Sequence, residues 1–430
     1  MSVAISILVM LIMLSILTIV HEWGHFIAAR IFKVKVTEFS IFMGPCIWSK
    51  TSKKSGTKYS IRALPIGGYC AFEDDQGNAD APDSLNSQKW YKRLVIFVAG
   101  VFLNIVLAFV ITIIMLFFTG YQTNTISSVP EHTVMSVVGI EKGDKLCEIN
   151  DHTVLTPTDY DIYSFAIQDK NDDPDVMDSH YTLLYEKKDG SELFCDIRKQ
   201  ILFTTEKDAE GNESKKTESY QYTVVTDDGK SDKKTYLLFS KLLEQPTSES
   251  TQIRCELNVT VDGKTTTEEV NLTGVNYNRL GGDSFTFVKT YNPFRIIGHS
   301  GKYLVSMVKS IYTSLFWLID GTVGLEAVSG PVGLTTVVDD VVGEKSISFW
   351  MKLLTLMNMT ALISVNLGVF NMLPFPGLDG FHVIFIIIEL IRGGKKVSPK
   401  VQSVISTLGL VLLMALAVVI MFSDVFKIIS

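Results

Sequence analysis

Three ionisable side chains interrupt a long apolar segment near the start of the chain. His21, Glu22 and His25 lie within ILTIVHEWGHFIAAR and are otherwise flanked by mostly apolar residues. On a helix, two histidines four residues apart project from one face, and H-E-x-x-H is the pattern of two zinc ligands with a glutamate general base. The pattern also arises by chance, or from histidines satisfied inside a helix bundle. Because ionisable residues within a membrane span are costly and mark function, the metal site is favoured.

A third protein ligand must come from elsewhere in the chain. Catalytic zinc is usually held by three side chains and keeps a fourth position for water. Asp379 is the only Asp, Glu, Lys or Arg between Lys352 and Glu389, and it follows PFPG, which breaks a helix. Asp379 can ligate a metal or cap the following helix, and the two roles are compatible. His382 is a competing ligand, ranked below Asp379 as a group that supports the ligands or faces water.

Four uncharged runs must hold these residues. Each reaches the roughly 20 residues that a helix needs to cross a bilayer, and the runs are 1–20, 94–119, 353–378 and 401–423. The chain of 430 residues is 47% hydrophobic, with a mean hydropathy of +0.26. We therefore expect a polytopic membrane protein, with no nucleic-acid partner. The first run lacks the basic start of a signal peptide and is too long for its apolar part, so it is expected to be retained.

Two loops between these runs are basic. One is the loop 30–93, and the other is the short loop 392–400 before the last run, which holds Arg392, Lys395, Lys396 and Lys400 and no acidic residue. The positive-inside rule places both loops in the cytoplasm. The termini and the segment between the second and third runs then lie outside. His25 is five residues before Arg30, about 8 Å along a helix, which puts the metal site near the cytoplasmic side.

The connecting segments have their own patterns. Alternation at Tyr59 and Ile61, followed by Gly67-Gly68, predicts a hairpin or looped sheet after the first run. The segment 121–290 is expected to be rich in strands, with a turn at Asn150-Asp151, a helix near 158–169, and a mobile insertion or long hairpin over 206–234. An amphipathic helix is expected within 299–326, lying on the membrane or against the spans.

In combination, the motifs resemble the site-2 protease family of intramembrane zinc metalloproteases, above all bacterial members with a PDZ-type domain that cleave anti-sigma factors. The motifs are HEWGH, SIRALPIGGY, RLVIFVAGVFLN, SGPVG and SVNLGVFNMLPFPGLDG. The resemblance implies that His21, His25 and Asp379 ligate Zn²⁺ and that Glu22 is the catalytic base. The chain departs from the family pattern in two places, which are Val101, where the family has proline, and Phe381, where it has glycine.

The resemblance also implies how substrate is held. Asn371 and Pro374 match the family's N-x-x-P element, and Gly67 and Gly68 lie in a looped β-element whose edge, near Ile61 to Tyr69, would bind an unwound substrate strand. The implied partners are a single-span membrane protein as substrate, the lipid bilayer of the bacterial plasma membrane, and an upstream site-1 protease. The external PDZ-like domain is either a substrate reader or a size filter, and the filter is favoured.

The predicted fold is a polytopic α-helical membrane protein with about four transmembrane helices, a membrane-associated β-loop and an extracytoplasmic PDZ-like α+β domain. Its parts are a first helix with the zinc motif (1–32), a β-loop region (33–93), a second span (94–120), the PDZ-like domain with its insertion (121–290), an amphipathic region (291–346), a third segment with the Asp ligand (347–392) and a fourth span (401–423).

The predicted function is hydrolysis of a peptide bond within or near the transmembrane segment of a single-span protein, such as an anti-sigma factor, in regulated intramembrane proteolysis. The alternatives are a membrane zinc transporter and a non-catalytic PDZ scaffold. A transporter would be expected to line a path with further polar ligands. A scaffold would tolerate the loss of Glu22, which this chain retains.

Overall fold

The computed structural model describes residues 3–73, 81–169, 178–207, 213–243, 252–273, 285–324 and 330–429. The chain forms two compact units. The first unit comprises Met1–Phe118 and Gly324–Ser430, and the second, Thr119–Val323, is inserted between these two parts.

The first unit is mainly helical. Its helices are α1 (Val3–Ile31), α2 (Trp90–Thr119), α6 (Pro331–Gly343), α7 (Phe349–Asn371), α8 (Asp379–Ile391) and α9 (Pro399–Ile429). Within the described residues, α1, α2, α7 and α9 are each long and apolar enough to cross a membrane, which confirms the expected number of spans.

The predicted third segment, 347–392, forms two helices, α7 and α8, with a loop between them. Pro374 and Pro376 supply no backbone N–H to a helix, and Gly377 has a φ of +97°, which favours glycine. The last helical hydrogen bond of α7 runs from the N–H of Met372 to the carbonyl of Gly368. The next helix, α8, begins at Asp379. The predicted break therefore lies immediately before the predicted ligand.

α1 and α2 approach each other closely. A Cβ atom added at Gly24 would lie 2.3 Å from the carbonyl oxygen of Ala99, so any side chain at this position would force the two backbones apart. One turn further along, Ala28 and Ala29 are buried with Ile96 in a common apolar cluster. Small residues allow the same close approach in other membrane helix pairs, where packing rather than water exclusion drives association.

A small sheet connects α1 to α2. It is formed by β1 (Val36–Thr51) and β2 (Lys58–Phe72), and both strands change direction. Phe39 lies opposite Tyr59 on one side and Cys70 on the other. The changes of direction occur near residues with positive φ, among them Gly44 (+87°) and Gly67 (+67°). The two strands therefore provide four paired segments, as the predicted looped sheet required.

The edge of this sheet agrees with the predicted one only in part. Lys58–Ile61 pairs with residues of β1 on both sides, with Glu38–Ile41 and with Trp48–Thr51. Ile61 itself therefore lies inside the sheet, because β1 folds back and covers it. The other paired residues of the predicted edge, Arg62, Leu64, Gly68 and Tyr69, each pair on one side only. Among the described residues, Gly68–Phe72 pairs on one side only and forms the edge nearer to α1.

A charged network holds the segments of this sheet together. Glu38 Oε1 accepts hydrogen bonds from Ser60 Oγ at 2.6 Å and from Arg62 Nη2 at 2.9 Å, and Lys58 Nζ lies 3.4 Å away. Burial alone would raise the pKa of Glu38, but the hydrogen bonds from Ser60, Arg62 and Tyr69 hold it at about 2. Glu38 therefore remains ionised at neutral pH and links two segments of the sheet.

The second unit is built on one antiparallel sheet. Its strands are β3 (Tyr121–Ser128), β4 (Lys145–Ile149), β5 (His152–Thr153), β6 (Asp178–Glu186), β7 (Glu192–Lys207), β8 (Glu213–Asp227), β9 (Lys234–Leu242), β10 (Gln252–Val261), β11 (Lys264–Thr273) and β12 (Thr286–Thr290). The described strands follow the order β11-β10-β9-β8-β7-β6-β4-β3-β12, and β5 pairs with β4.

Among the described residues of this unit, three helices accompany the sheet: α3 (Val134–Val137), α4 (Pro157–Asp169) and α5 (Ile296–Asp320). The buried carboxylate of Asp159 joins two of them, because its Oδ2 atom accepts hydrogen bonds from Thr156 N–H at 3.0 Å and from Ser306 Oγ at 2.7 Å. Two local predictions are confirmed. Asn150 and Asp151 form a turn with positive φ, and β7 and β8 form a long hairpin through much of the polar insertion.

A buried ion pair connects two helices of the first unit. Arg93, near the start of α2, donates from Nη2 to Glu389 Oε2, near the end of α8. The two side chains are only 6% and 9% exposed. Since Asp379 begins α8, this ion pair fixes the opposite end of the helix that carries the predicted ligand.

Removing one partner of this pair should destabilise the first unit strongly. We expect Glu389→Gln to lower the free energy of unfolding by about 3–5 kcal/mol, because it leaves the guanidinium of Arg93 buried without a counter-charge. The double variant Arg93→Met with Glu389→Leu should recover most of this loss. Unfolding in detergent measures both effects.

The matched control is Lys395→Gln, which removes one exposed charge from the loop between α8 and α9. It should change the free energy of unfolding by less than about 0.5 kcal/mol. A cost for Glu389→Gln no larger than that of this control would contradict a structural role for the ion pair.

Candidate metal centre

The side chains of His21, His25 and Asp379 converge inside the first unit. His21 Nε2 lies 2.9 Å from Asp379 Oδ2, and His25 Nε2 lies 3.3 Å from the same oxygen and 3.1 Å from His21 Nε2. Each of the three residues offers one ligand atom, and these atoms all lie within 4.8 Å of one another. Both histidines are 6% exposed. The structure thus brings the three predicted ligands together.

Helix periodicity and a tight loop create this convergence. The two histidines are one turn apart on α1, so their rings share a face of the helix. Asp379 is the first residue of α8, where a carboxylate is favoured by the exposed N–H groups and the helix dipole. A Cβ atom at Gly380 would lie 2.3 Å from the carbonyl oxygen of Met372, so the loop can fold this tightly only with glycine there.

The donor set fits zinc. Two imidazole nitrogens and one carboxylate oxygen are the protein ligands typical of a catalytic zinc site. His25 Nδ1–H donates to the carbonyl of Ile96 at 2.8 Å, which leaves the lone pair of Nε2 for the cluster. The other nitrogen of His21 faces the side-chain amide of Asn104, whose Oδ1 atom is buried without a hydrogen-bond partner among the described residues. An amide oxygen here could accept a hydrogen bond from the Nδ1–H of His21 if Nε2 of the ring bound a metal.

Glu22 lies beside the cluster and contacts the sheet. The backbone N–H of Cys70, in the edge segment of β2, donates to Glu22 Oε2 at 3.0 Å. Glu22 is only partly exposed. A carboxylate next to the predicted ligands can exchange a proton with a water molecule, and the hydrogen bond from Cys70 restrains its orientation.

The residues predicted to hold substrate lie at different distances from the cluster. Asn371 Nδ2 is 3.3 Å from His21 Nε2, so this amide belongs to the site. Pro374 is exposed in the loop before α8. Cβ atoms built at Gly67 and Gly68 would lie 3.6 Å from Thr18 Oγ1 and 3.4 Å from Ile19 Cγ1. Both glycines therefore pack against α1 less than one turn before His21.

His382 is not part of the cluster. Its ring is stacked on Phe97, with centroids 4.6 Å apart and an angle of 5° between the planes. Asp379 alone of the two candidates reaches the histidines. Phe381, one of the two departures from the family pattern, packs edge-on against Phe385 along α8, with centroids 4.9 Å apart.

Sequence reasoning did not identify the contribution of α2. Ile96, Gly100 and Asn104 are spaced by four residues, and all three face the histidines. Asn104 could have been found, since it is the only amide side chain between Leu94 and Thr119. The Ile96 carbonyl and the Cys70 N–H carry no signal in the residue type, because every residue has such groups.

Comparisons with known proteins match nearly the whole chain to one peptidase family and its relatives. The family model for peptidase family M50 matches residues 9–416. A relative from Fusobacterium nucleatum, named as a zinc metalloprotease, is 29% identical, and the match covers 98% of both chains. A second zinc metalloprotease by name, from Clostridium acetobutylicum, is 28% identical over 98% of this chain and 97% of its own. The regulator of sigma-E protease RseP from Escherichia coli is 26% identical over 96% and 97%.

Gly100 offers a test of the geometry. A Cβ atom there would lie 2.5 Å from His25 Nε2 and 2.8 Å from His21 Cε1, so Gly100→Ala must displace the imidazoles. Overpacking of this kind costs about 1–3 kcal/mol, and we expect zinc affinity to fall roughly tenfold to a hundredfold. Competition with a chelator measures the affinity of the purified protein.

Gly368→Ala is the matched control. Gly368, on α7, also faces α2, but a Cβ atom there would be 3.6 Å from its nearest neighbours, an ordinary contact. This variant should bind zinc like the unmodified protein. Equal zinc affinity in the two variants would contradict the placement of the histidines against Gly100.

Proposed function

The chain belongs to peptidase family M50 and is a zinc metalloprotease of the membrane, and we propose that it cuts single-span membrane proteins within or near their transmembrane segments. An anti-sigma factor is the proposed kind of substrate, because the relative from Escherichia coli is named as a regulator of sigma-E. The proposed process is regulated intramembrane proteolysis, with an upstream site-1 protease that trims the substrate first.

The observation that carries this proposal is the convergence of His21, His25 and Asp379 between apolar helices. We assign these three side chains as the zinc ligands. Bound zinc supplies the acidity that activates a water molecule and polarises the scissile carbonyl. The site lies between helices long enough to cross a bilayer, so the bond that reaches it belongs to a membrane-embedded or membrane-adjacent segment.

Glu22 is the proposed general base. Its carboxylate takes a proton from the attacking water and returns it to the nitrogen of the leaving amine as the C–N bond breaks. The hydrogen bond from Cys70 N–H, at 3.0 Å, supports this role because it holds the carboxylate on the side of the sheet edge. This hydrogen bond therefore fixes the position of the proposed base relative to the edge strand.

Substrate would be held by backbone groups rather than by a deep pocket. A helical peptide bond is protected by its own hydrogen bonds, so the substrate must unwind, and an unwound strand can pair with the edge of a sheet. Gly68–Phe72 is the proposed edge, with Gly67 and Gly68 allowing it to pack on α1. Asn371 Nδ2 is placed to donate to a substrate carbonyl, and Pro374 would shape the loop beside it.

The proposed topology follows the distribution of charge. The basic loops, which include the β1–β2 sheet and the α8–α9 connection, would be cytoplasmic, and the second unit would be extracytoplasmic. We propose that this unit is a PDZ-like domain that acts as a size filter and keeps intact ectodomains away from the site. Cleavage near the cytoplasmic side of the bacterial plasma membrane would then release a cytosolic product.

Glu22→Gln tests the reaction. We expect the variant to cleave a single-span model substrate at least about 10²-fold to 10⁴-fold more slowly than the unmodified protein, because general-base catalysis is lost. It should retain zinc, since all three ligands remain. Purified protein in detergent, assayed for cleavage and for bound metal, provides both measurements.

Glu344→Gln, at an exposed carboxylate of the first unit, is the control and should cleave at the normal rate. Equal cleavage by Glu22→Gln would remove Glu22 from the mechanism. If the unmodified protein holds zinc but cuts none of several different spans, the transporter and scaffold alternatives replace the protease.

A second test concerns the ligand assignment. His21→Gln and Asp379→Asn should each abolish stoichiometric zinc binding, because two remaining side chains do not hold a catalytic zinc. His382→Gln should retain zinc, since the ring of His382 stacks on Phe97 away from the cluster. Metal analysis of the purified variants decides the assignment, and a comparable loss in His382→Gln would show that the ligand set is wrong.

A further inference from the structure

The buried side-chain amide of Asn104 has a hydrogen-bond partner at its nitrogen but none at its oxygen among the described residues. It is fully buried in α2, and its Nδ2 atom lies 3.3 Å from His21 Nδ1. Its Oδ1 atom is also buried and has no hydrogen-bond partner in the part of the chain that the structure describes. A buried amide oxygen without a donor carries an uncompensated desolvation cost, so its retention requires a reason.

We propose that Asn104 is a positioning residue that holds the ring of His21 in the orientation and tautomer that binding to zinc requires. This inference rests on the proposed function, in which His21 is a ligand. A ring that offers the lone pair of Nε2 to a metal carries its proton on Nδ1, and that proton needs an acceptor. The Oδ1 atom of Asn104 is the acceptor.

A half-turn of the amide brings the acceptor into place. The oxygen and nitrogen ends of an asparagine side chain are nearly isosteric, and their assignment follows from the hydrogen bonds available. With Nδ2 toward His21, the amide suits a ring protonated on Nε2, which would donate to Asp379 Oδ2 at 2.9 Å. With Oδ1 toward His21, it suits a ring protonated on Nδ1, and the unsatisfied oxygen gains a donor.

The surroundings of Asn104 fix where its amide acts. Its backbone carbonyl accepts a hydrogen bond from Ser364 Oγ of α7 at 2.8 Å, and both residues are fully buried. On the same face of α2, two turns earlier, the carbonyl of Ile96 accepts from His25 Nδ1. Each histidine therefore has its own acceptor on α2, one from the backbone and one from the side chain of Asn104.

Zinc affinity of full-length protein in detergent tests this role. Asn104→Leu and Asn104→Ala remove the acceptor, and we expect each to weaken zinc binding roughly tenfold to a hundredfold, as loss of such supporting contacts does elsewhere. Asn104→Asp keeps an acceptor and should bind within about threefold of the unmodified protein. Competition with a chelator gives each affinity, and unfolding in EDTA reports stability without metal.

Thr112→Val is the matched control. Thr112 is fully buried two turns further along α2, and its Oγ1 atom also lacks a partner among the described residues. This variant should bind zinc normally. If Asn104→Leu loses its folded state in EDTA, the comparison of Asn104→Ala with Asn104→Asp decides.

Two results would overturn the inference while leaving the proposed function in place. One is zinc binding by Asn104→Leu and Asn104→Ala as tight as in the unmodified protein. The other is an equal loss in all three variants, including Asn104→Asp, which would assign Asn104 to packing. If the unmodified protein itself binds no zinc, the proposed metal site fails first.

Discussion

The backbone contact between α1 and α2 determines whether the site can form. Gly24 of α1 lies against the carbonyl of Ala99, and Gly100 of α2 lies against the two imidazoles. The close approach therefore requires a glycine in each helix. In lipid there is little hydrophobic force between helices, and close packing must hold them together. The same closeness brings Ile96 and Asn104 within hydrogen-bond reach of the histidines. Departure from the family pattern at Val101 leaves this contact intact.

Three carboxylates among the apolar helices have polar partners that also define helix positions. Asp379 contacts the histidines at the start of α8, and Glu389 pairs with Arg93 near its end, so this helix of 13 residues is held at both ends. In the same way Asp424, on α9, accepts hydrogen bonds from the N–H groups of Gly330 and Gly333 at the start of α6. Because an unpaired charge is so unfavourable in this environment, each pair restricts the arrangement of two helices.

The sequence allowed the spans, the helix break and the three converging side chains to be predicted, because each rests on a strong local signal. Runs without charged residues indicate membrane spans, and the prolines indicate the loop before Asp379. The path of β1 could not be predicted, since its fold-back depends on which segments pair, and Ile61 consequently lies inside the sheet rather than at its edge. The roles of Ile96 and Cys70 come from main-chain atoms, which residue types do not reveal.

The insertion of the second unit between α2 and α6 also affects when the site can form during synthesis of the chain. His21 and Asp379 are 358 residues apart, and a ribosome that adds roughly 5–20 residues per second takes roughly 20 to 70 s to cover that distance. Throughout this interval the nascent chain carries both histidines and the glutamate but lacks Asp379, the third proposed ligand. The order of the elements along the chain therefore delays catalytic competence until nearly the whole protein has been synthesised, and no separate inhibitory segment is needed for that delay.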